Sequence, residues 1–365
     1  MDIRILVTGA GTGASGNLIR ALRATRLSLR IVGVNHDRFT LRQSPADRNF
    51  LVPRSTAAAF GDAIADIVRR ERVDVVMPTD DHTVKALSDR RGDFPVQLFV
   101  PAPATIALCQ DKYTLNVFLR ERGVPTPLTY QVTDLSDIDE LMARLPRQRF
   151  AWCRLRRGSR SMGATAVATA EQARSWISQW QDLQGVAVSD FTIAEYLPGR
   201  HLVLQGVWRD GRLLLAQTVE CLSYFAAGNN PTGVFSLPSL AKTVFEPAVF
   251  DVCTRAIEAI DSMASGVFVL ELRDDMRGVP SITEINAGRF AMGVTALLGT
   301  ARRNMLEVFV HAAVGDPIAL DTAYEPGPEY YLVRELDMTP GVYSATELLR
   351  EGELANATPS RTSGG

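Results

Sequence analysis

Two short segments near residue 280 combine carboxylates with an amide, the side-chain types that bind hard cations. Glu271 lies in the apolar run 266–272, and Glu284 and Asn286 lie in the apolar run 282–286 after a short turn. Strand alternation puts Glu284 and Asn286 on one face, and the facing hairpin strand brings Glu271 beside them. Because acids in such apolar strands need a cation, we interpret the set as a Mg²⁺ site that bridges phosphates. A solvated hairpin with ordinary surface charges is the alternative.

Other segments supply complementary donors. Arg289, just past the second strand, can neutralise a phosphate or a carboxylate, and Arg154 lies in a predicted strand, 150–155. A loop rich in N–H, hydroxyl and guanidinium donors follows and can close over a polyphosphate. Further along, a strand ending in a Pro-Gly hinge can present its backbone to an adenine edge. These two segments include Gly158, Ser159, Ser161, Gly163, Glu195, Tyr196 and Leu197.

A glycine-rich turn near the N-terminus permits a different chemistry. Residues 11–16 read Gly-Thr-Gly-Ala-Ser-Gly, after a predicted strand and before a predicted helix, and Asp37 lies 21 residues beyond Gly16. This pattern is typical of dinucleotide sites, in which the glycines approach a pyrophosphate and the acid binds a ribose. A tight β-to-α turn without a nucleotide is the alternative.

The predicted secondary structure that must position these groups changes along the chain, from alternating strands and helices to β-hairpins. The first third alternates strands and helices, which predicts an α/β fold with a doubly wound parallel sheet. Here we expect a strand at 97–100, a helix at 57–70 capped by Thr56, and a single helix at 105–122. Two hairpins, 201–208 with 212–219 and 267–272 with 280–286, follow a Pro-bracketed boundary at 124–129.

Composition narrows the classes of protein further. The 365 residues carry a net charge of −2, which argues against nucleic-acid binding, and no apolar run is long enough to span a membrane. The four cysteines and four histidines are dispersed, so neither a disulfide framework nor a zinc site is expected. Buried thiols in a reducing cytosol predict a cytoplasmic protein.

Taken in order, these motifs resemble the ATP-grasp superfamily, in particular its carbamoyl-phosphate-synthase-like and carboxylate–amine ligase branches. The resemblance covers about residues 3–320. It also includes Pro78-Thr-Asp-Asp and the Asp111-Lys112 helix leading to Pro127. It implies a pre-ATP-grasp α/β domain at 1–112, a linker helix and lid at 113–195, and a C-terminal ATP-grasp subdomain at 196–320. An extension, 321–365, is expected to be disordered from about residue 351.

The resemblance also implies roles for individual residues. Lys112 and Arg154 would contact ATP phosphates under the Gly158–Gly163 loop. Glu195 and Leu197 would meet the adenine, and Tyr196 between them would belong to the same cofactor site. Glu271, Glu284 and Asn286 would hold two Mg²⁺ ions, for which Mn²⁺ is expected to substitute. Arg289 would steady an acyl phosphate or its parent carboxylate.

Three positions depart from the family pattern. Arg154-Leu155 stands where Lys-Pro is common, and Arg200-His201 stands where a ribose-binding Glu is common, so His201 is the candidate ribose contact. Arg289 lies one residue later than the usual arginine.

The favoured hypothesis is an ATP- and Mg²⁺-dependent carboxylate–amine ligase that forms an amide through an acyl phosphate and releases ADP and phosphate. Its expected partners are small carboxylates and amines, with no nucleic acid or membrane, and a homodimer is compatible with the resemblance. Three alternatives stay open: an NAD(P)-dependent oxidoreductase using residues 11–16, a carboxyphosphate-forming enzyme, and a nucleotide-binding subunit whose site has decayed.

Overall fold

Three β-sheets organise the part of the chain that the computed structural model describes, residues 2–159, 161–225, 237–301, 303–319 and 321–348. None of the helices in these ranges is both long and apolar enough to cross a bilayer.

Strand–helix units form the N-terminal part. In chain order they are β1 (Ile3–Thr8), α1 (Gly13–Arg23), β2 (Leu29–Asn35), α2 (Arg38–Leu41), β3 (Arg48–Leu51), α3 (Phe60–Glu71), β4 (Val75–Met77), α4 (Asp81–Asp89) and α5 (Pro103–Gln110). The strands form a parallel sheet of order β3-β2-β1-β4. Helix α1 packs on one face of this sheet and α3 on the other. The predicted doubly wound parallel sheet is therefore confirmed.

A small antiparallel sheet follows. Its segment contains α6 (Lys112–Arg120), β5 (Thr129–Gln131), α7 (Ile138–Ala143), β6 (Ala151–Leu155), β7 (Thr165–Val167), α8 (Ala170–Gln184) and β8 (Phe191–Glu195). The strand order is β5-β8-β6-β7, and α7 and α8 share an apolar core with the sheet. Strands β6 and β7 form a hairpin, and the described residues of the Gly158–Gly163 loop, all but residue 160, lie at its tip.

The last part is a seven-stranded antiparallel sheet of order β13-β12-β9-β10-β11-β14-β15. Its elements are β9 (His201–Arg209), β10 (Arg212–Tyr224), β11 (Pro238–Val244), α9 (Pro247–Ile260), β12 (Gly266–Asp274), β13 (Pro280–Ala287), α10 (Met305–Ala313), β14 (Tyr330–Val333), β15 (Gly341–Ser344) and α11 (Ala345–Leu348). The domain boundaries stay predictions, but residues after 320 contribute two strands to this sheet. The disorder expected from residue 351 lies outside the described residues.

The seven-stranded sheet buries both of its faces. One face packs on α9 through residues such as Leu204, Phe268 and Leu270. The other face presents Val203, Val207 and Val269 to a core that also contains α10, α1 and parts of the parallel sheet. The N-terminal and C-terminal parts therefore share one apolar core, which holds their polar groups in a defined relation.

Three local predictions in the first third are wrong. Residues 97–100 form no strand: the flanking residues Pro95 and Pro101 have no N–H to extend a ladder, and Leu98 and Val100 are buried without strand pairing. The helix expected at 105–122 is divided at Asp111, whose backbone is extended and whose side chain caps α6. Helix α3 begins at Phe60 without a side-chain cap, so Thr56 does not cap it.

The glycine-rich turn at 11–16 is explained by packing within the chain. Gly11 has φ +93°, and a Cβ there would lie 1.8 Å from the carbonyl oxygen of Thr40 in α2. Asp37 caps α2, because its Oδ1 accepts from the Thr40 N–H at 2.7 Å. In a dinucleotide site, such glycines let the backbone approach a pyrophosphate closely. Here Gly11 lets the backbone approach the Thr40 carbonyl instead.

We expect Gly11→Ala to lower the free energy of unfolding by at least about 3 kcal/mol, since its Cβ collides with backbone and its φ is unfavourable for alanine. Gly13→Ala is the matched control. No atom lies within 4 Å of the Cβ at Gly13, so the change should stay below about 1 kcal/mol. Urea unfolding followed by circular dichroism measures both. Equal losses would contradict the packing explanation.

Candidate active site

The acidic hairpin is formed by β12 and β13, and a bulge shapes it. Glu271 and Glu284 are register partners, but the next pair is Leu272 with Ile282, so Thr283 is an extra residue on β13. Its carbonyl accepts a hydrogen bond from Arg154 Nη2 at 2.9 Å. The bulge therefore links the acidic strand to β6 of the small sheet.

The structure brings Glu271, Glu284 and Asn286 together, as the sequence predicts. Asn286 Nδ2 donates to Glu271 Oε1 and to Glu284 Oε1, at 3.4 Å each. Two like charges directly opposite on a hairpin repel each other, so they need neighbouring positive charge.

Positive side chains from two parts of the chain supply that charge. Lys112, at the start of α6, lies with Nζ 3.5 Å from Glu284 Oε2 and donates to the carbonyl of Gly158 at 2.6 Å. The guanidinium of Arg154 is buried beside the same hairpin. Burial acts to raise the pKa of Glu284, but the charges of Lys112, Arg154 and Arg289 lower it below its ordinary value. Glu284 is therefore held ionised.

His201 lies within this cluster. Its Nε2 is 3.4 Å from Glu271 Oε2, and its Nδ1 shares a hydrogen bond with the Tyr224 hydroxyl. Burial acts to lower the pKa of His201, but hydrogen bonds with Cys221 and Glu271 raise it well above its ordinary value. The ribose contact expected of His201 stays a prediction, and its described contacts are to the acidic hairpin and its surroundings.

The glycine-rich loop is anchored by Asp111, an acid to which the sequence analysis assigned no role. Asp111 accepts from Arg156 Nη2 at 2.7 Å and from Arg157 Nη2 at 3.0 Å, and its carboxylate is nearly fully buried. Arg156 and Arg157 are thus held by Asp111, and Ser159, Ser161 and the flanking glycines form the loop tip. The available signal was the preference of Asp for the position just before a helix, which Asp111 takes at the start of α6.

The hinge joins the two antiparallel sheets. Glu195 ends β8, its N–H donates to the Leu128 carbonyl at 2.8 Å, and its Oε2 accepts from the Leu128 N–H at 3.2 Å. The Tyr196 ring packs against Phe150, with ring centroids 5.7 Å apart, and Leu197 is buried. An adenine contact here stays a prediction and would rest on the backbone of residues 195–197.

The donor set fits a divalent cation bound together with phosphate oxygens. Within the described residues, no group of three His, Cys, Asp or Glu side chains is placed to hold a metal ion. Two carboxylates and one amide leave coordination positions for water and phosphate, as Mg²⁺ prefers. Buried Arg154 Nε also has no hydrogen-bond partner in the described chain, so a donor is left for an anion.

We expect Asp111→Asn to lower the free energy of unfolding at pH 7 by about 1–3 kcal/mol, because a buried charged acceptor for two arginines is lost. Burial acts to raise the pKa of Asp111, but bonds from Arg156 and the Thr114 N–H lower it below its ordinary value. The ionised carboxylate therefore stabilises the fold at neutral pH, and this stabilisation is lost as the pH falls through the lowered pKa.

Urea unfolding at pH 7, 5 and 3 checks this expectation. The difference between wild type and Asp111→Asn should shrink toward pH 3. Asp66→Asn is the control, since exposed Asp66 pairs with Arg69 on the same helix, and it should cost less than about 0.5 kcal/mol. A difference that is constant with pH would contradict a role for the ionised carboxylate.

Solved structures of similar architecture are known, although no protein-family profile and no curated protein matches the sequence. An L-amino acid ligase from Bacillus licheniformis is 15% identical, with a TM-score of 0.67 over 91% of this chain and 79% of that one. The biotin carboxylase domain of a Hydrogenobacter thermophilus 2-oxoglutarate carboxylase, in complex with MgADP, ADP and bicarbonate, is 13% identical, with a TM-score of 0.70 over 92% and 74%.

An N5-carboxyaminoimidazole synthetase from Staphylococcus aureus, complexed with ADP, is 14% identical, with a TM-score of 0.68 over 92% of this chain and 83% of that one. At such identities the likeness shows the fold alone. The chain has the ATP-grasp fold, and the fold class predicted from the sequence is confirmed.

Proposed function

We propose that this chain is an ATP- and Mg²⁺-dependent carboxylate–amine ligase. The observation that carries the proposal is the convergence of Glu271, Glu284 and Asn286 on one hairpin, beside Lys112 and Arg154. This arrangement suits a divalent cation bound to a polyphosphate. The carboxylates match the positive charge of the cation, and the cationic side chains match the negative charge of the phosphates.

Each part of the site has a distinct task in this proposal. Glu271, Glu284 and Asn286 would hold Mg²⁺, which neutralises charge on the phosphates and so assists phosphoryl transfer. Lys112 and Arg154 would bind phosphate oxygens, and buried Arg154 Nε has no hydrogen-bond partner within the described residues. The loop tip, through Gly158, Ser159, Ser161 and Gly163, would cover the phosphates and exclude water.

The reaction requires no nucleophile from the protein. A carboxylate oxygen of the substrate attacks the γ-phosphorus of ATP, and the bond from that phosphorus to the ADP oxygen breaks. The amine nitrogen then attacks the acyl carbon, inorganic phosphate leaves with the bonding electrons, and the amine loses a proton. Arg289, next to the hairpin, would steady the acyl phosphate or its parent carboxylate.

Amino acids are the first substrates to consider, because one enzyme of the same fold is an L-amino acid ligase. Another was solved with bicarbonate, so a carboxyphosphate-forming reaction is the second candidate. The packing of Gly11 against Thr40 speaks against a nicotinamide dinucleotide at residues 11–16. A cytoplasmic location and a homodimer stay predictions.

The test is ADP release with Mg²⁺-ATP and pools of amino acids, small carboxylic acids or bicarbonate. Release that requires both an acid and an amine supports the ligase, and release with bicarbonate supports the second candidate. If no ADP is released, isothermal calorimetry measures ATP binding directly. Absence of ATP binding would refute both the ligase and the carboxyphosphate-forming enzyme. Tight binding of NAD(H) or NADP(H) would revive the oxidoreductase.

Removal of one hairpin charge should abolish turnover. Glu284→Gln and Glu271→Gln are each expected to lower ADP release by at least about a hundredfold, because the cation loses a charged ligand. Glu258→Gln, on the exposed face of α9, removes the same charge away from the hairpin and should change the rate by less than about twofold. Normal turnover in Glu284→Gln would refute the assignment of the site.

A further inference from the structure

Arg289 is fixed by an acid from the N-terminal part of the chain. Its Nε donates to Asp81 Oδ1 at 2.5 Å, and its Nη2 lies 3.3 Å from Asp81 Oδ2, which makes a two-point ion pair. Asp81 is the first residue of α4, and the Arg289 side chain is only 14% exposed. The guanidinium therefore has a defined position beside the acidic hairpin.

The same guanidinium stands one side chain away from the acidic pair. Arg289 Nη2 also donates to Asn286 Oδ1 at 2.7 Å, and Asn286 Nδ2 contacts both Glu271 and Glu284. Burial acts to lower the pKa of Arg289, but Asp81 first, and then Glu284 and Glu271, raise it. Three carboxylates thus attract one guanidinium, and the two-point contact decides in favour of Asp81.

Without Asp81, this attraction would draw Arg289 toward Glu271 and Glu284. The guanidinium would then occupy the place of a bound cation and would neutralise its ligands. Asn286 gives a second reason why Arg289 needs Asp81. When Asn286 binds the cation, its side-chain oxygen must turn away from Arg289, which then loses this acceptor. In that state Asp81 is the described group that still holds the Nε and Nη2 edge of Arg289.

We infer that Asp81 is a positioning residue that acts through Arg289 and keeps the acidic hairpin open to a divalent cation. The inference rests on the proposed function, since it concerns the same cation site. It assigns a task in metal binding to Asp81 alone within the Pro78-Thr-Asp-Asp segment, although Asp81 touches neither hairpin carboxylate in the described contacts.

Mn²⁺ binding in the presence of a non-hydrolysable ATP analogue, followed by electron paramagnetic resonance, tests this inference without turnover. Asp81→Asn should weaken Mn²⁺ binding by about tenfold. The freed guanidinium of Arg289 would gain about one charge-assisted hydrogen bond to the hairpin carboxylates, and Mn²⁺ would have to displace it. Asp80→Asn is the matched control, because it removes the same charge and asparagine can still cap α4 through the Thr83 N–H. Its Mn²⁺ affinity should stay within about twofold of wild type.

The double variant Asp81→Asn/Arg289→Met separates positioning from a structural role. Removal of the guanidinium removes the competitor, so Mn²⁺ affinity should return to within about threefold of wild type while ADP release stays lost. Arg289→Met alone contains no guanidinium at this position that could compete with the cation. It should therefore bind Mn²⁺ at least as tightly as wild type.

Three results would overturn the inference. Asp81→Asn that binds Mn²⁺ like wild type shows that Arg289 needs no restraint. A double variant as weak as Asp81→Asn shows that the contact only joins the two parts of the chain, as does weakened binding in Arg289→Met alone. Absence of Mn²⁺ binding in wild type would refute the proposed function itself, and that failure is visible before any variant is compared.

Discussion

The repulsion between Glu271 and Glu284 is the constraint on which the rest of the site depends. The two carboxylates are register partners on one hairpin, so they cannot separate while the strands stay paired. The chain answers with cationic groups from different elements: Lys112 from α6, Arg154 from β6 and Arg289 from the segment after β13. These contacts link the small sheet to the acidic hairpin, and the ion pair of Arg289 with Asp81 links α4 of the N-terminal part to it.

A second set of acids keeps the neighbouring arginines in place. Asp111 binds Arg156 and Arg157 at the base of the glycine-rich loop, and Asp81 binds Arg289 beside the hairpin. A buried ion pair adds little net stability, because desolvation offsets much of its attraction. Its value here lies in geometry, since a planar guanidinium held at two points has few alternative positions.

The acidic hairpin could be predicted from the sequence because its signal is local. Acids in two apolar strands with a turn between them determine both the pairing and the shared face. The bulge at Thr283 could not be predicted, because a register shift between paired strands has no mark in the local sequence, and Arg154, which donates to the Thr283 carbonyl, lies 129 residues away. The break at Asp111 was missed for the same reason: helix-forming residues continue across it, while the arginines that hold Asp111 lie 45 and 46 residues later. The glycines at 11–16 match the dinucleotide pattern, but the sequence does not show that Gly11 packs against the Thr40 carbonyl.

The strand that carries Glu284 and Asn286 lies at one edge of the seven-stranded sheet. An open edge invites pairing with another polypeptide, which is a common route to aggregation. Here the Ile282 N–H donates to the carbonyl of Pro125 at 2.9 Å, and proline offers no N–H that would extend the ladder. The segment between α6 and β5 therefore shields this edge. Loosening it would expose the edge of the acidic strand to pairing with another polypeptide.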